Sequence, residues 1–219
     1  VTVGVDKEEL IKTKTLKNIL LTSDISKYAD NFDVIIDFSL PDSSLKVTEI
    51  CVTLNKPLII GTTGFAETDL NLIMNCSKKI PILLAPNMSI GVNASFNAIS
   101  ILSKLLPNHR VHIDETHHKN KVDSPSGTAL KFADIVCVAR GEQLGDITSN
   151  HCPITFKSHR KDSEIGVHTI TFKGSADEIT FTHTAENRDI FANGALKTAE
   201  WLIQQPPGFY NYKNYMDSI

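Results

Sequence analysis

Leu58-Ile59-Ile60-Gly61-Thr62-Thr63-Gly64-Phe65 decides the fold of this 219-residue chain. Its three consecutive apolar residues read as a strand buried on both faces, and the hydroxyls bracketed by glycines read as a loop leaving its carboxyl end. The same unit recurs on either side. Upstream, Asp33-Val34-Ile35-Ile36-Asp37-Phe38-Ser39 is a short apolar run stopped by Leu40-Pro41-Asp42, and Leu45 to Leu54 carries helical spacing at Leu45, Ile50 and Leu54. Downstream, Leu70 to Cys76 is helical, and Ile80-Pro81-Ile82-Leu83-Leu84 runs into Ala85-Pro86-Asn87-Met88-Ser89. Apolar strands alternating with helices predict an α/β fold with a Rossmann-like parallel sheet, where ligands meet the loops at the strands' carboxyl ends. Gly61-Thr62-Thr63-Gly64 by itself is equally a plain strand-to-helix turn or a place where backbone approaches a ligand. A second such loop at Ala85-Pro86-Asn87, level with the first, favours the ligand.

The pattern changes near residue 88. Asn93 to Leu106 reads as a longer helix, and Arg110 to Thr116, Gly166 to Gly174 and Glu178 to His183 alternate as strands with one packed face. These predict a second, α+β domain with a mixed, largely open sheet. The expected division is 1–88, completed by 189–219, against 89–188. A last helix runs from about Ile190 to Ile203, and the tail from Phe209 carries no legible chemistry. At the other end Val1-Thr2-Val3-Gly4-Val5-Asp6 reads as a strand already under way, and Lys7 to Asp33 is weakly patterned.

Composition narrows the function classes. With 41% hydrophobic and 21% charged residues the chain is globular, and its net charge of −3 argues against a nucleic-acid or membrane-surface partner. No apolar run is long enough to span a membrane and no secretory leader is visible. Cys51, Cys76, Cys137 and Cys152 are far apart and never form a Cys-x-x-Cys pair, so neither a zinc site nor a disulfide framework is expected. The chain reads as cytoplasmic, with a small-molecule ligand.

The chemistry concentrates in Glu115-Thr116-His117-His118-Lys119-Asn120-Lys121-Val122-Asp123-Ser124-Pro125-Ser126-Gly127-Thr128-Ala129-Leu130. Ser126-Gly127-Thr128 directly precedes an apolar-periodic segment from Ala129 to Val138, so it predicts a helix N-terminus whose free N–H groups favour an anion. Lys121 adds a point charge to the same anion, and an imidazole exchanges a proton near neutral pH. Taken alone, His117 and His118 are better read as solvated or packing histidines, and it is Lys121 together with Ser126-Gly127-Thr128 that shifts the reading toward a ligand site. A metal-dependent hydrolase using both finds no support, because adjacent residues of a strand face opposite ways and no further ligand motif is present. Glu115 and Asp114 either orient an imidazole or lie on the surface, and the sequence does not separate them. His183 and Arg188 are either ligand groups or a structural polar pair.

These residues resemble the dihydrodipicolinate reductase family, also called 4-hydroxy-tetrahydrodipicolinate reductase, of diaminopimelate and lysine biosynthesis. The resemblance is carried by Asp37-Phe38-Ser39-x-Pro41, Gly61-Thr62-Thr63-Gly64-Phe65, Ala85-Pro86-Asn87, Gly91-Val92-Asn93, His117-His118-x-x-Lys121, Pro125-Ser126-Gly127-Thr128-Ala129 and Phe191-Ala192-x-Gly194-Ala195. It implies reduction of a cyclic dicarboxylate by NADH or NADPH. Catalysis would fall to His117 as general acid and to Lys121, which shares that role or stabilises charge. His118, Ser126, Gly127 and Thr128 would hold substrate carboxylates. The cofactor would lie along Gly61, Thr62, Thr63, Ala85, Pro86, Asn87 and Met88, with Met88 standing where relatives often carry Phe. The resemblance further implies a homotetramer whose contacts are built by the second domain's sheet. The family's first strand and glycine-rich turn have no counterpart here, so the chain reads as N-terminally truncated, with Asp6 and Lys7 remaining for ribose recognition. Asp6 favours NADH and Lys7 a 2′-phosphate, which predicts dual cofactor use. The rival expectation is a non-catalytic dicarboxylate-binding protein that has lost the nucleotide half.

Overall fold

The computed structural model describes residues 2–6, 11, 19–145, 154–161 and 164–219. In chain order come β1 (Val3–Val5), β2 (Leu20–Thr22), a 3-10 helix (Ile25–Asn31), β3 (Ile35–Asp37), α1 (Pro41–Leu54), β4 (Leu58–Ile60), α2 (Glu67–Cys76) and β5 (Pro81–Leu84). Then follow α3 (Ile90–Leu105), β6 (Arg110–His117), α4 (Gly127–Ala139), β7 (Ile154–Arg160), β8 (Gly166–Lys173), β9 (Glu178–Ala185), α5 (Asp189–Leu202), β10 (Gly208–Tyr210) and α6 (Tyr212–Met216). The chain divides into two compact units, Val1–Pro86 with Ala195–Ile219, and Asn87–Gly194.

In the first unit β10, β5, β4 and β3 lie in that order and pair in parallel, while β1 and β2 form a separate parallel pair. All three residues of β4 are fully buried, as a strand covered on both faces requires. Leu58 and Ile60 pack with Cys51 of α1, Ile73 of α2 and Ile82 of β5. Pro41, whose missing N–H costs nothing at a helix start, opens α1, and Asn55 in the left-handed region (φ 52°) closes it. Burial, reinforced by the nearby Asp37 charge, pushes the Cys51 thiol up to about 12, so this sulfur packs as a neutral apolar group.

The second unit is a mixed sheet in the order β7, β6, β8, β9, with β6 and β7 parallel and the other pairs antiparallel. Along β6 burial alternates, so Val111, Ile113, Glu115 and His117 face the core while His112, Asp114 and Thr116 face away. The core joins Ile99 of α3 to Phe132, Ala133 and Val136 of α4 and to Ile113, Ile170 and Phe172 of the sheet. Phe96 meets Phe132 edge to face at 4.7 Å between centroids. The other sheet face is polar, with Thr169 opposite Thr182 and with Asp114 drawing both His112 and His159.

Three strands escaped the sequence reading, the first being β2 in the weakly patterned stretch before Asp33. In β7 the core-facing residues after Ile154 and Phe156 are Ser158 and Arg160, so the alternation fades where the strand becomes polar inside. β10 has only three residues, and its place as a sheet edge is fixed by pairing with β5 rather than by its own pattern.

Candidate active site

A pocket within the second unit gathers His117, His118, Lys121 and Thr128 with His168, His183 and Arg188. Among the described residues lining it there is no carboxylate. The charges of Lys121 and Arg188, with four imidazoles able to offer hydrogen bonds, make the cavity a receptor for negative charge.

His117 ends β6 on its core-facing side and is 6% exposed. Burial, with Lys121 and Arg160 adding to it against the opposing pull of Glu115, holds its imidazole below the ordinary histidine range. His168, two residues into β8, meets the His117 ring edge to face at 5.0 Å. Burial and then the neighbouring His117 drive its pKa down from 6.5 to about 4, so it is neutral at pH 7. Gly166 leaves room beside His117: a Cβ there would lie 3.3 Å from Nε2.

The loop from His118 to Pro125 is held from β7. Arg160 donates to the carbonyls of Lys121 (3.2 Å) and Asp123 (2.6 Å). Lys121 itself pairs with the Asp123 carboxylate at 2.9 Å. That contact and the Gly127 N–H help hold the Asp123 carboxyl below its usual range. The loop thus seats one of its own carboxylates at the start of α4. Ser126 is the helix cap, its hydroxyl accepting from the Ala129 N–H at 3.1 Å and lying 3.2 Å from Nε2 of His168. Its buried side chain is therefore engaged within the protein, whereas Thr128 reaches the pocket.

Glu115 is 1% exposed and anchors the cluster from below. It accepts the Ser126 N–H at 3.0 and 3.1 Å and the Ser158 hydroxyl at 2.8 Å. Although burial opposes it, these bonds and the His117 charge bring the Glu115 carboxyl below its ordinary value. Polar atoms of Glu115, His117 and His168 gather within 4.8 Å of one another. Arg160 lies 3.8 Å from the same carboxylate and Lys121 also faces His117, so like charge opposes a divalent ion here.

In the first unit the carboxyl ends of β4 and β5 lie level, since the Ala85 N–H donates to the Ile60 carbonyl at 3.0 Å. Thr62 is buried, and its hydroxyl lies 2.8 Å from that of Ser44, which donates to the buried Asp37 carboxylate. Thr63 and Gly64 are exposed, and Gly64 needs its glycine for φ 87°. A Cβ at Gly61 would fall 2.2 Å from the exposed Phe38 ring. A bare backbone crest beside an exposed aromatic ring suits a planar, nucleotide-like ligand. Met88 is buried, and the Asn87 side chain accepts from the Ser89 N–H at 2.9 Å. Asp6 follows β1, its N–H donating to the Thr22 carbonyl at 3.2 Å, while Lys7 lies outside the described residues.

Sequence reasoning missed His168, Ser158 and Arg160 as parts of this site. The alternation of β8 was visible, but nothing local marks which of its inward residues meets His117.

The chain thus combines a parallel α/β unit with glycines at its strand ends and a unit carrying a pocket lined by Lys121 and Arg188. Residues 1–88 and 91–216 match the family descriptions "Dihydrodipicolinate reductase, N-terminus" and "Dihydrodipicolinate reductase, C-terminus". The chain belongs to the dihydrodipicolinate reductase family. It is 36% identical to the 4-hydroxy-tetrahydrodipicolinate reductase of Buchnera aphidicola subsp. Cinara cedri, covering 96% of this chain and 82% of that protein. Identity to the enzyme of the same name from Geotalea uraniireducens is 35%, over 90% of this chain and 78% of that one. The fold is that of a dipicolinate-bound dihydrodipicolinate reductase from Paenisporosarcina sp. TG-14, with a TM-score of 0.80 at 22% identity, over 96% of this chain and 87% of that one.

Proposed function

We propose that the chain reduces 4-hydroxy-tetrahydrodipicolinate to tetrahydrodipicolinate with NADH or NADPH, releasing water, in diaminopimelate and lysine biosynthesis. The observation that carries this substrate class is the pocket of Lys121, Arg188 and four hydrogen-bonding imidazoles, with no carboxylate among its described lining residues. Gly61, Thr62, Thr63, Ala85, Pro86, Asn87 and Met88 would hold the reduced nicotinamide, which would supply a hydride. The ring carbon beside the one that takes the hydride needs a proton, and His117 at the end of β6 supplies it. Lys121 stabilises charge on the ring, while His118 and the N–H groups of Gly127 and Thr128 hold a carboxylate at the start of α4. Asp6 contributes to the ribose end of the cofactor site. We further place the protein in the cytoplasm as a homotetramer assembled through the second unit's sheet.

The test is the loss of nicotinamide absorbance with substrate present. His117→Gln lowers turnover by roughly 10²–10⁴, the usual value of a positioned general acid, with cofactor binding intact. Pyridine-2,6-dicarboxylate, a planar mimic of the substrate, raises the melting temperature, and Lys121→Ala removes most of that rise. Unchanged turnover in the histidine variant would end this reading.

A further inference from the structure

Glu115 and His117 stand two residues apart on the core-facing side of β6, whereas Asp114 faces the opposite way toward His112 and His159. The Glu115 carboxylate is fixed by the Ser126 N–H and the Ser158 hydroxyl, and its Oε2 lies 3.7 Å from Nδ1 of His117. That nitrogen is buried and has no hydrogen-bond partner. A buried polar nitrogen left alone is costly, so its nearest acceptor matters. The other ring nitrogen, Nε2, lies beside Gly166, which lines the pocket with His117.

We infer that Glu115 is the positioning residue of His117, drawing the Nδ1 proton to itself and leaving Nε2 as the atom that exchanges a proton with the substrate. This rests on the proposal that His117 is the proton donor. The 3.7 Å separation exceeds a direct hydrogen bond by about half an ångström, a gap closed by a small ring movement or by one water. The other groups facing His117 do not serve. Arg160 and Lys121 are cations that repel an imidazolium, and Asp123 is already paired with Lys121. His168, whose ring edge meets His117, is tied to Ser126. The arrangement follows the logic of a carboxylate behind a catalytic imidazole, where the acid selects the tautomer and steadies the charged form.

Two measurements test this. In the ¹⁵N spectrum of the wild-type imidazoles, with His117 assigned through its absence in His117→Gln, the neutral ring carries its proton on Nδ1. A neutral ring protonated on Nε2 overturns the assignment without any mutation that disturbs folding, and it does so whether or not His117 proves to be the proton donor. In Glu115→Gln the basic limb of the turnover–pH profile moves to lower pH, so that turnover at pH 8 falls about tenfold or more while KM for the cofactor stays unchanged. A profile that superimposes on wild type also overturns it.

Discussion

Asp123 shows how much of this pocket is prepared before a ligand arrives. Its carboxylate pairs with Lys121 and takes the Gly127 N–H, donors that the proposed substrate carboxylate would also need. Asp123→Asn removes the competing charge, so pyridine-2,6-dicarboxylate binds severalfold more tightly by calorimetry; weaker binding would mean that Asp123 only orients Lys121. His168 sets a limit on stability in acid. Its folded pKa of about 4 lies below the unfolded value near 6.5, so the unfolded chain takes up a proton that the folded one refuses. Stability is full above pH 6.5 and falls as the pH drops toward 4, by about 3 kcal/mol for this one group. Urea midpoints measured from pH 7 to pH 4 check this, and His168→Phe should flatten the decline. His117 and Lys121 were legible as candidate site residues from their type and from the helix-start motif that follows them. The choice between Glu115 and Asp114 was not, because both sit in one alternating strand and only the identity of the covered face separates them.

Among the elements, α4 joins packing to chemistry. Its first turn closes the pocket, and its buried side holds Phe132 and Val136 against the sheet. Ser126→Ala leaves the Ala129 N–H uncapped and costs about 0.5–2 kcal/mol, read as a shift in the denaturant midpoint. Phe132→Ala, at a fully buried position, costs about 3–5 kcal/mol. If the two losses proved equal, the helix would depend on its cap as much as on its core face. The positions of α1 to α5 followed from apolar spacing to within a few residues, whereas α6, β2, β7 and β10 did not. A strand that is polar inside, or only three residues long, gives its pairing partners the deciding word.

For the molecule as a whole, the proposed tetramer would use the outward face of the second sheet. Thr169 and Thr182 lie side by side there across β8 and β9. If the tetramer is built through this face, Thr169→Lys with Thr182→Lys places like charges in the contact, and the protein sediments as a smaller species with its dicarboxylate pocket intact. An unchanged sedimentation coefficient would move the interface elsewhere. By itself the sequence determined that a parallel α/β unit precedes an α+β unit, and it marked the stretch from His117 to Thr128 as the candidate site, because periodicity, capping residues and residue type act over a few neighbouring positions. Only the tertiary structure decided that Glu115 stands behind His117, that Ser158 and Arg160 secure the carboxylate and the loop, and that His168 meets Ser126 across 42 residues of chain. Those contacts depend on strand register, and register is set by how a whole sheet buries one face against its helices.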